Sequence, residues 1–515
     1  MKTFIHKKLV PLLPALTSGL LTALSFPKPG LYALAWIAFI PLLASLWQKD
    51  GKMAFRSGFV FGMVYFFGTL YWVYHSITYY GGVSFVASVC IVLILCAYLA
   101  LFPAVFSVMF TQAFRKTKLP ALIIAPVFWV TLEFVRSYLL TGFPWSSIGY
   151  SQYPALSLVQ IADITGVYGI SFLVLAVNGA VTDLLLIRKR LRNMPLYPLS
   201  YTITGFAALT LVIAGTFGYG LFRLNEERTS SPVTISLIQG NIEQDKKWEP
   251  VFQREVIDIY EHLSRGALAS HPALLVWPET AMPYYFGYDA RFSDQLVQFQ
   301  KETGAYLLFG SVLVKGQIKD RIELTNSAVL LDQEGKKSFV YDKIHLVPFG
   351  EYVPLRSLLF FVDKLVAGIG DYVPGRNYTR AETSFGSFGT IICYEVIFPG
   401  LVRKFFTRGG DFMVNITNDA WFGMTAGPQQ HFSMAVFRAI ENRKPLVRAA
   451  NTGISGFIDS NGRIMNVSAM FTRQVLTETI MTDRTLTFYT RYGDLFSYLC
   501  IVTSVLMTIN IFSRR

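Results

Sequence analysis

Eight apolar runs, each about long enough to cross a bilayer, dominate this chain: residues 9–26, 31–48, 57–76, 83–113, 120–141, 164–187, 201–222 and 495–512. A helix needs about 17–25 such residues to span the hydrocarbon layer, so the pattern predicts a membrane domain of eight helices. The first run is too long for a cleavable signal segment, and a second follows after only Phe26-Pro27-Lys28-Pro29-Gly30; it reads as a retained span. Composition agrees, with 52% hydrophobic residues, 15% charged residues and a mean hydropathy of +0.41. Ordinary soluble domains carry about 25% charged residues.

The formal charge of +13 invites a nucleic-acid reading, which the placement of the charge removes. Fifteen basic residues sit in short segments between or beside the runs: Lys2/Lys7/Lys8, Lys49/Lys52/Arg56, Arg115/Lys116/Lys118, Arg188/Lys189/Arg190/Arg192 and Arg514/Arg515. Asp50 is the only acid among them. The alternate loops, 27–30, 77–82 and 142–163, hold only Lys28 and Asp163. By the positive-inside rule both termini are cytoplasmic and residues from about Arg223 to Gly493 lie on the far side. The expected organisation is a membrane domain over 1–222, an extracytoplasmic domain over 223–493, and a last span with its tail over 494–515.

Within the spans, Glu133 and Arg136 stand three apart, on one helical face; they read as a paired couple or as polar lining of a substrate path. Gly142-Phe143-Pro144-Trp145 reads as an interfacial loop anchored by its tryptophan. Cys90, Cys96 and Cys500 read as packing residues.

From Val233 short β-branched apolar runs alternate with polar, helix-like stretches. Strands are expected at 233–238, 273–277, 305–313, 327–331, 338–341, 388–393, 411–416, 446–450 and 454–458, and helices at 249–268, 290–303 and 428–442. Fully apolar strands imply a sheet covered on both faces, in an α/β or α+β layered domain. The chain has no P-loop, no dinucleotide-type glycine motif, no G-x-S-x-G elbow and no zinc-type cysteine or histidine spacing.

Three expected strands deliver three different chemical groups. Ala273 to Trp277 leads into Pro278-Glu279, Ser338 to Asp342 leads into Lys343, and Thr390 to Ile392 leads into Cys393. Cys393 is the only cysteine outside a membrane-length run. Taken singly, Glu279 reads equally as a helix cap, Lys343 as a surface residue and Cys393 as a small buried hydrophobe. Strand C-termini in layered α/β domains converge on one edge, where ligands bind. Together the three suit one chemistry, in which a thiol is the nucleophile, a carboxylate takes its proton and an ammonium steadies negative charge.

Trp277-Pro278-Glu279, the run from Asp342 to Glu351 and Cys393-Tyr394-Glu395 resemble the signature of the nitrilase superfamily. The match from Lys343 to Pro354, Gln239-Gly240-Asn241 and the eight spans resemble its membrane-bound branch, the apolipoprotein N-acyltransferase family. The resemblance implies a nitrilase-like αββα sandwich beside the membrane domain and a Glu279–Lys343–Cys393 triad. It also implies supporting or substrate-binding roles for Glu351, Tyr394, Glu395, Trp248 and Asn326, with Glu351 orienting Lys343. The implied reaction takes an acyl chain from a phospholipid onto Cys393 as a thioester. The chain then passes to the α-amino group of a diacylglyceryl-cysteine at the N-terminus of an apolipoprotein, in the bacterial inner membrane with the catalytic domain periplasmic. A membrane-anchored amidase or nitrilase-type hydrolase is the alternative. No metal or organic cofactor is implied, and no nucleic-acid partner.

A thioester awaiting an amine needs a site shielded from water. Pro283-Tyr284-Tyr285-Phe286 and the run 358–362 read as that apolar cover or as ordinary core. His345 and His431 read as structural, and the loop Asn418 to Gly423 as shaping the pocket.

Overall fold

The computed structural model describes residues 10–117, 119–193, 199–227, 230–244, 246–318, 321–353 and 372–513. Lys2, Lys7, Lys8, Lys118, Pro354, the run 358–362, Arg514 and Arg515 lie outside the described residues. The chain divides into two units: Met1–Tyr74 with Ser84–Glu226 and Tyr492–Arg515, and His75–Val83 with Glu227–Arg491.

The first unit is helical. Gly51–Leu70, Phe85–Lys116, Val167–Leu186, Thr202–Asn225 and Leu495–Ser513 are long and apolar enough to cross a membrane. The remaining expected spans are shorter. Val10–Leu24 and Tyr32–Leu46 are apolar helices of 10–17 residues, and Ala121–Arg136 has 16. The second of these breaks at Phe39, because Pro41 brings no N–H to the ladder. Asn178 satisfies the freed backbone, accepting from Phe39 N at 2.9 Å and donating to Ala35 O at 2.9 Å. Backbone irregularity at membrane depth persists only where such partners exist.

Part of what reads as basic loop is helix. Asp50 caps Gly51–Leu70 through Met53 N at 2.7 Å, and Arg115 and Lys116 form the last turn of Phe85–Lys116. Cations favour that end of a helix. One expectation needs correction. Trp145 is fully buried, not interfacial; its ring lies 4.8 Å from that of Trp72 and its carbonyl accepts from Arg136 Nη1 at 2.7 Å. Glu133 and Arg136 each serve this loop: Glu133 Oε1 accepts from Ile148 N at 2.7 Å, and Arg136 Nη2 donates to Ser147 Oγ at 3.1 Å. Cys90 is exposed, whereas Cys96 and Cys500 are buried.

The second unit is built on two six-stranded sheets. The described strands are β1 Pro232–Gln239, β2 Leu274–Val276, β3 Tyr306–Ile318, β4 Arg321–Leu331, β5 Lys337–Asp342, β6 Arg380–Thr383, β7 Gly386–Ile392, β8 Phe412–Thr417, β9 Leu446–Ala450, β10 Gly456–Ile458, β11 Ile464–Val467 and β12 Gln474–Met481. One sheet has the order β12-β1-β2-β3-β4-β5 and the other β11-β10-β9-β8-β7-β6. β1, β2 and β3 run parallel, as do β7, β8 and β9.

Val256, Ile257 and Tyr260 of helix Gln253–Ala267, with Leu296 and Phe299 of helix Ala290–Thr303, pack against Leu275, Leu307, Phe309 and Val329. The alternate residues Leu274, Leu308 and Leu330 are equally buried. Both faces of this sheet are therefore covered, as the unbroken apolar strands require. Phe339 meets Phe388 and Tyr306 meets Phe385 between the sheets, at centroid distances of 6.5 and 5.3 Å.

The segment His75–Val83, from far earlier in the chain, belongs to this unit. Ser76 Oγ donates to Trp421 O at 2.6 Å, Tyr80 OH donates to Ala420 O at 3.1 Å, and the Tyr80 and Trp421 rings lie 4.7 Å apart.

Candidate active site

β2, β5, β7, β8 and β9 each end where a polar residue follows: Glu279 three residues past β2, then Lys343, Cys393, Asn418 and Asn451 directly after their strands. Trp277 anchors the first of these turns. Its Nε1 donates to Ser264 Oγ at 2.8 Å and its ring lies 5.0 Å from Tyr260. Thr280 adopts φ +46°, and Gly310 on β3 is what lets the turn lie so close. A Cβ at Gly310 would stand 2.4 Å from Thr280 N and 2.6 Å from Glu279 Cα.

Two carboxylates share two donors here. Lys343 Nζ lies 3.2 Å from Glu279 Oε1 and 3.0 Å from Glu351 Oε1. Asn326 Nδ2 donates to the same two oxygens at 2.7 and 2.8 Å. Burial works to lower the Lys343 ammonium, yet Glu279 and Glu351 carry it well above its ordinary value. Glu279 Oε2 accepts from Asn418 N at 2.9 Å, and Glu351 Oε2 from Val347 N at 2.7 Å. With Oε1 doubly occupied, Oε2 is the oxygen of Glu279 that has room for a further proton.

Cys393 is buried, with φ +49°, an uncommon conformation for a residue with a Cβ. Burial pushes its thiol up; the Glu279 charge adds to this and Lys343 opposes it. Glu395 locks the elbow from behind. Its Oε2 accepts from Ile392 N at 2.7 Å, while Oε1 accepts from Ile344 N at 2.7 Å, His345 N at 3.1 Å and Tyr341 OH at 2.7 Å. Burial pushes this carboxyl up to about 7, against four donors that all favour the anion. One side chain thus ties the segment after Lys343 to the segment around Cys393.

The structure brings Glu279, Lys343, Glu351 and Asn326 into one hydrogen-bonded cluster within electrostatic reach of Cys393. Tyr394 is buried, its ring 5.2 Å from Phe398 and 5.8 Å from His345. Trp248 stands apart, 37% exposed with its ring 6.1 Å from Tyr285. The apolar run after Glu279 is largely core: Tyr284 stacks on Phe292 and Phe286 packs on Phe309.

Two neighbours of the cluster carry no sequence signal. Lys247 is fully buried and donates to Glu279 O at 3.2 Å and Thr280 Oγ1 at 2.8 Å. Burial lowers its ammonium to about 7, opposed by Glu279. Tyr372 pairs by its backbone with Leu324; burial pushes its phenol up, and Glu351, Tyr285 and Glu279 add to the effect.

A carboxylate, an ammonium and a buried thiol thus gather at the ends of strands in two six-stranded sheets. A family model described as carbon-nitrogen hydrolase matches residues 234–487. The membrane-length helices make this chain a membrane-bound member of that class. A second model, described as apolipoprotein N-acyltransferase N-terminal domain, matches residues 18–180. Relatives named apolipoprotein N-acyltransferase share its length. The one from Geobacter metallireducens is 44% identical over 98% of this chain and 95% of its own. Those from Pasteurella multocida and Methylococcus capsulatus are each 33% identical, over 95% and 94% of this chain and 93% and 92% of theirs. The chain belongs to the apolipoprotein N-acyltransferase family.

Proposed function

We propose that this chain moves an acyl chain from a phospholipid to the α-amino group of an apolipoprotein's N-terminal diacylglyceryl-cysteine through a thioester on Cys393. The observation that carries this reading is the Lys343-bridged carboxylate pair beside a buried thiol. With its thiol pushed up, Cys393 rests protonated and needs a base at the moment of attack. Glu279 Oε2 takes that proton as sulfur bonds to the ester carbonyl carbon. Lys343 and the Tyr394 N–H steady the oxyanion. Collapse of the tetrahedral species breaks the ester C–O bond, and Glu279 returns the proton to the departing lysophospholipid oxygen.

The second half runs the same atoms in reverse. The neutral amine attacks the thioester carbonyl and gives its proton to Glu279, and C–S cleavage regenerates the thiol. Glu351 and Asn326 hold Lys343 and Glu279 in register throughout, Glu395 fixes the elbow, and Tyr394 and Trp248 contribute walls to the substrate path.

In this reading the eight apolar segments all lie in the bacterial inner membrane, with both termini cytoplasmic. Residues 223–493 form the periplasmic catalytic domain, between a membrane domain over 1–222 and a last span over 494–515. The distribution of basic residues supports that orientation.

The test is to incubate purified enzyme with phospholipid carrying a labelled acyl chain and to examine Cys393 by mass spectrometry. A hydroxylamine-labile adduct that transfers to a diacylated lipopeptide amine is expected. An active Cys393→Ala variant would overturn the nucleophile assignment. An adduct that only hydrolyses would make the chain an amidase-type hydrolase.

A further inference from the structure

Behind Cys393 lies a second buried polar cluster that the acyl transfer itself does not use. Its hub is Arg448 on β9, which is fully buried. Arg448 Nη1 donates to Asn415 Oδ1, and Asn415 Nδ2 in turn donates to Ile391 O at 3.0 Å. Arg448 Nη2 lies 2.8 Å from Asp419 Oδ2 and 2.8 Å from His431 Nδ1. His431 Nε2 reaches Cys393 O at 3.2 Å. Thr417 Oγ1 and His431 Nδ1 lie 2.9 and 3.1 Å from Asp419 Oδ1.

The partners show that Nε2 of His431 carries a hydrogen. The Cys393 carbonyl only accepts, so Nε2 beside it bears an N–H, while Nδ1 stands between Arg448 Nη2, which only donates, and Asp419 Oδ1, which only accepts. Burial, then the Arg448 charge, lowers the imidazole's affinity for a second proton, in keeping with a neutral ring protonated at Nε2.

We propose that Arg448, Asp419 and His431 form a positioning brace for the nucleophile. One arm, through Asn415, holds the carbonyl two residues before Cys393. The other, through His431, holds the Cys393 carbonyl itself. A trans peptide points its N–H opposite to its C=O, so fixing the Cys393 carbonyl also fixes the direction of the Tyr394 N–H. The brace holds the positive-φ elbow in the one orientation that presents the sulfur and that N–H together. These are positioning residues: their role is to remove freedom that a misplaced reacting group would spend as lost rate.

The proposal rests on Cys393 being the nucleophile, and its test separates the two. Single-turnover acylation of Cys393 by labelled phospholipid is measured in full-length wild-type, His431→Asn and His431→Gln enzyme, with KM for phospholipid and Tm. Asn places its amide near Nδ1 and loses the donor to Cys393 O; Gln reaches the Nε2 position and restores it. The Asn variant is expected to acylate about 100-fold more slowly at near-unchanged KM, with Gln recovering at least about tenfold of that at similar Tm. Equal rates in the two variants, or a loss confined to KM, overturn the brace while leaving the nucleophile standing. Absence of any wild-type adduct overturns both. Independently of how the variants fold, the ¹⁵N spectrum of His431 in the wild-type enzyme is expected to show a protonated Nε2, and an unprotonated Nε2 overturns the brace.

Discussion

Lys343 Nζ stands 3.2 Å from Glu279 Oε1, with side chains 1% and 7% exposed, and the same ammonium lies 3.0 Å from Glu351 Oε1. One cation therefore divides its field between two carboxylates. Glu351→Gln removes one of the two carboxylates that hold this ammonium in place. The variant is expected to fold, to keep its KM for phospholipid, and to form the Cys393 thioester about 100-fold more slowly, the scale of a reacting group misplaced by about 1 Å. Rapid-quench acylation kinetics check this.

Lys343→Met leaves the buried Glu279 and the part-buried Glu351 facing each other across Asn326. Removing one partner of a buried ion pair costs about 3–5 kcal/mol, and two anions here share the loss. The variant is expected to lose acylation and to unfold at markedly lower temperature. Adding Glu279→Gln is expected to restore part of the stability but none of the activity. If Lys343→Met and the double variant unfold together, the shared-cation account fails.

Lys247 gives a pH signature. Its ammonium is lowered by burial to about 7 in the folded chain and returns to its ordinary higher value on unfolding. Between the two values the unfolded state binds the extra proton, so stability rises with pH. The cost of burying the cation is present in full below pH 7. Relative to Lys247→Met, the wild type is expected to gain up to about 1.4 kcal/mol per pH unit from pH 7 upward. Unfolding of the pair at matched pH values measures it; parallel curves would refute the assignment.

Gly310→Ala tests how tightly the Glu279 turn is set. Its Cβ would fall 2.4 Å from Thr280 N and 2.6 Å from Glu279 Cα, both backbone atoms. The turn has to move, at a cost of about 1–3 kcal/mol, and carries Glu279 with it. Activity is expected to fall further than that stability change explains, read from acylation rates at a temperature where the variant stays folded.

Glu279, Lys343 and Cys393 were legible because each follows a short apolar strand, and strand direction brings their ends to one edge. Of the strands not expected from hydropathy, β6 and β12 are polar or mixed and partly exposed, while β11 is a four-residue, largely exposed piece too short to stand out. β12 owes its place to pairing with β1 across more than two hundred residues. Lys247 was invisible for a different reason: a lysine beside Lys246 and Trp248 reads as surface, and only tertiary packing buries it. Asn418 contributes its backbone N–H to Glu279, which no side-chain pattern announces. In the membrane-length runs, hydropathy located apolar sequence but not the break at Phe39, nor the inward turn of Trp145 that Arg136 secures.

The loop that starts at Asn418, whose amide touches Glu279, is held at its far side by His75–Val83. Gly423 sits against the His75 ring so closely that a Cβ would lie 2.5 Å from Nε2, and its φ is +59°. The two-sheet unit is thus stitched from two stretches of chain separated by about 140 residues of mostly apolar helix. Freeing it from the membrane is a problem of grafting and not of trimming. A fragment beginning at Glu227 loses the hydroxyls that cap Ala420 and Trp421, and with them the backing of the loop whose amide meets Glu279; one that carries residues 75–83 on a linker keeps both.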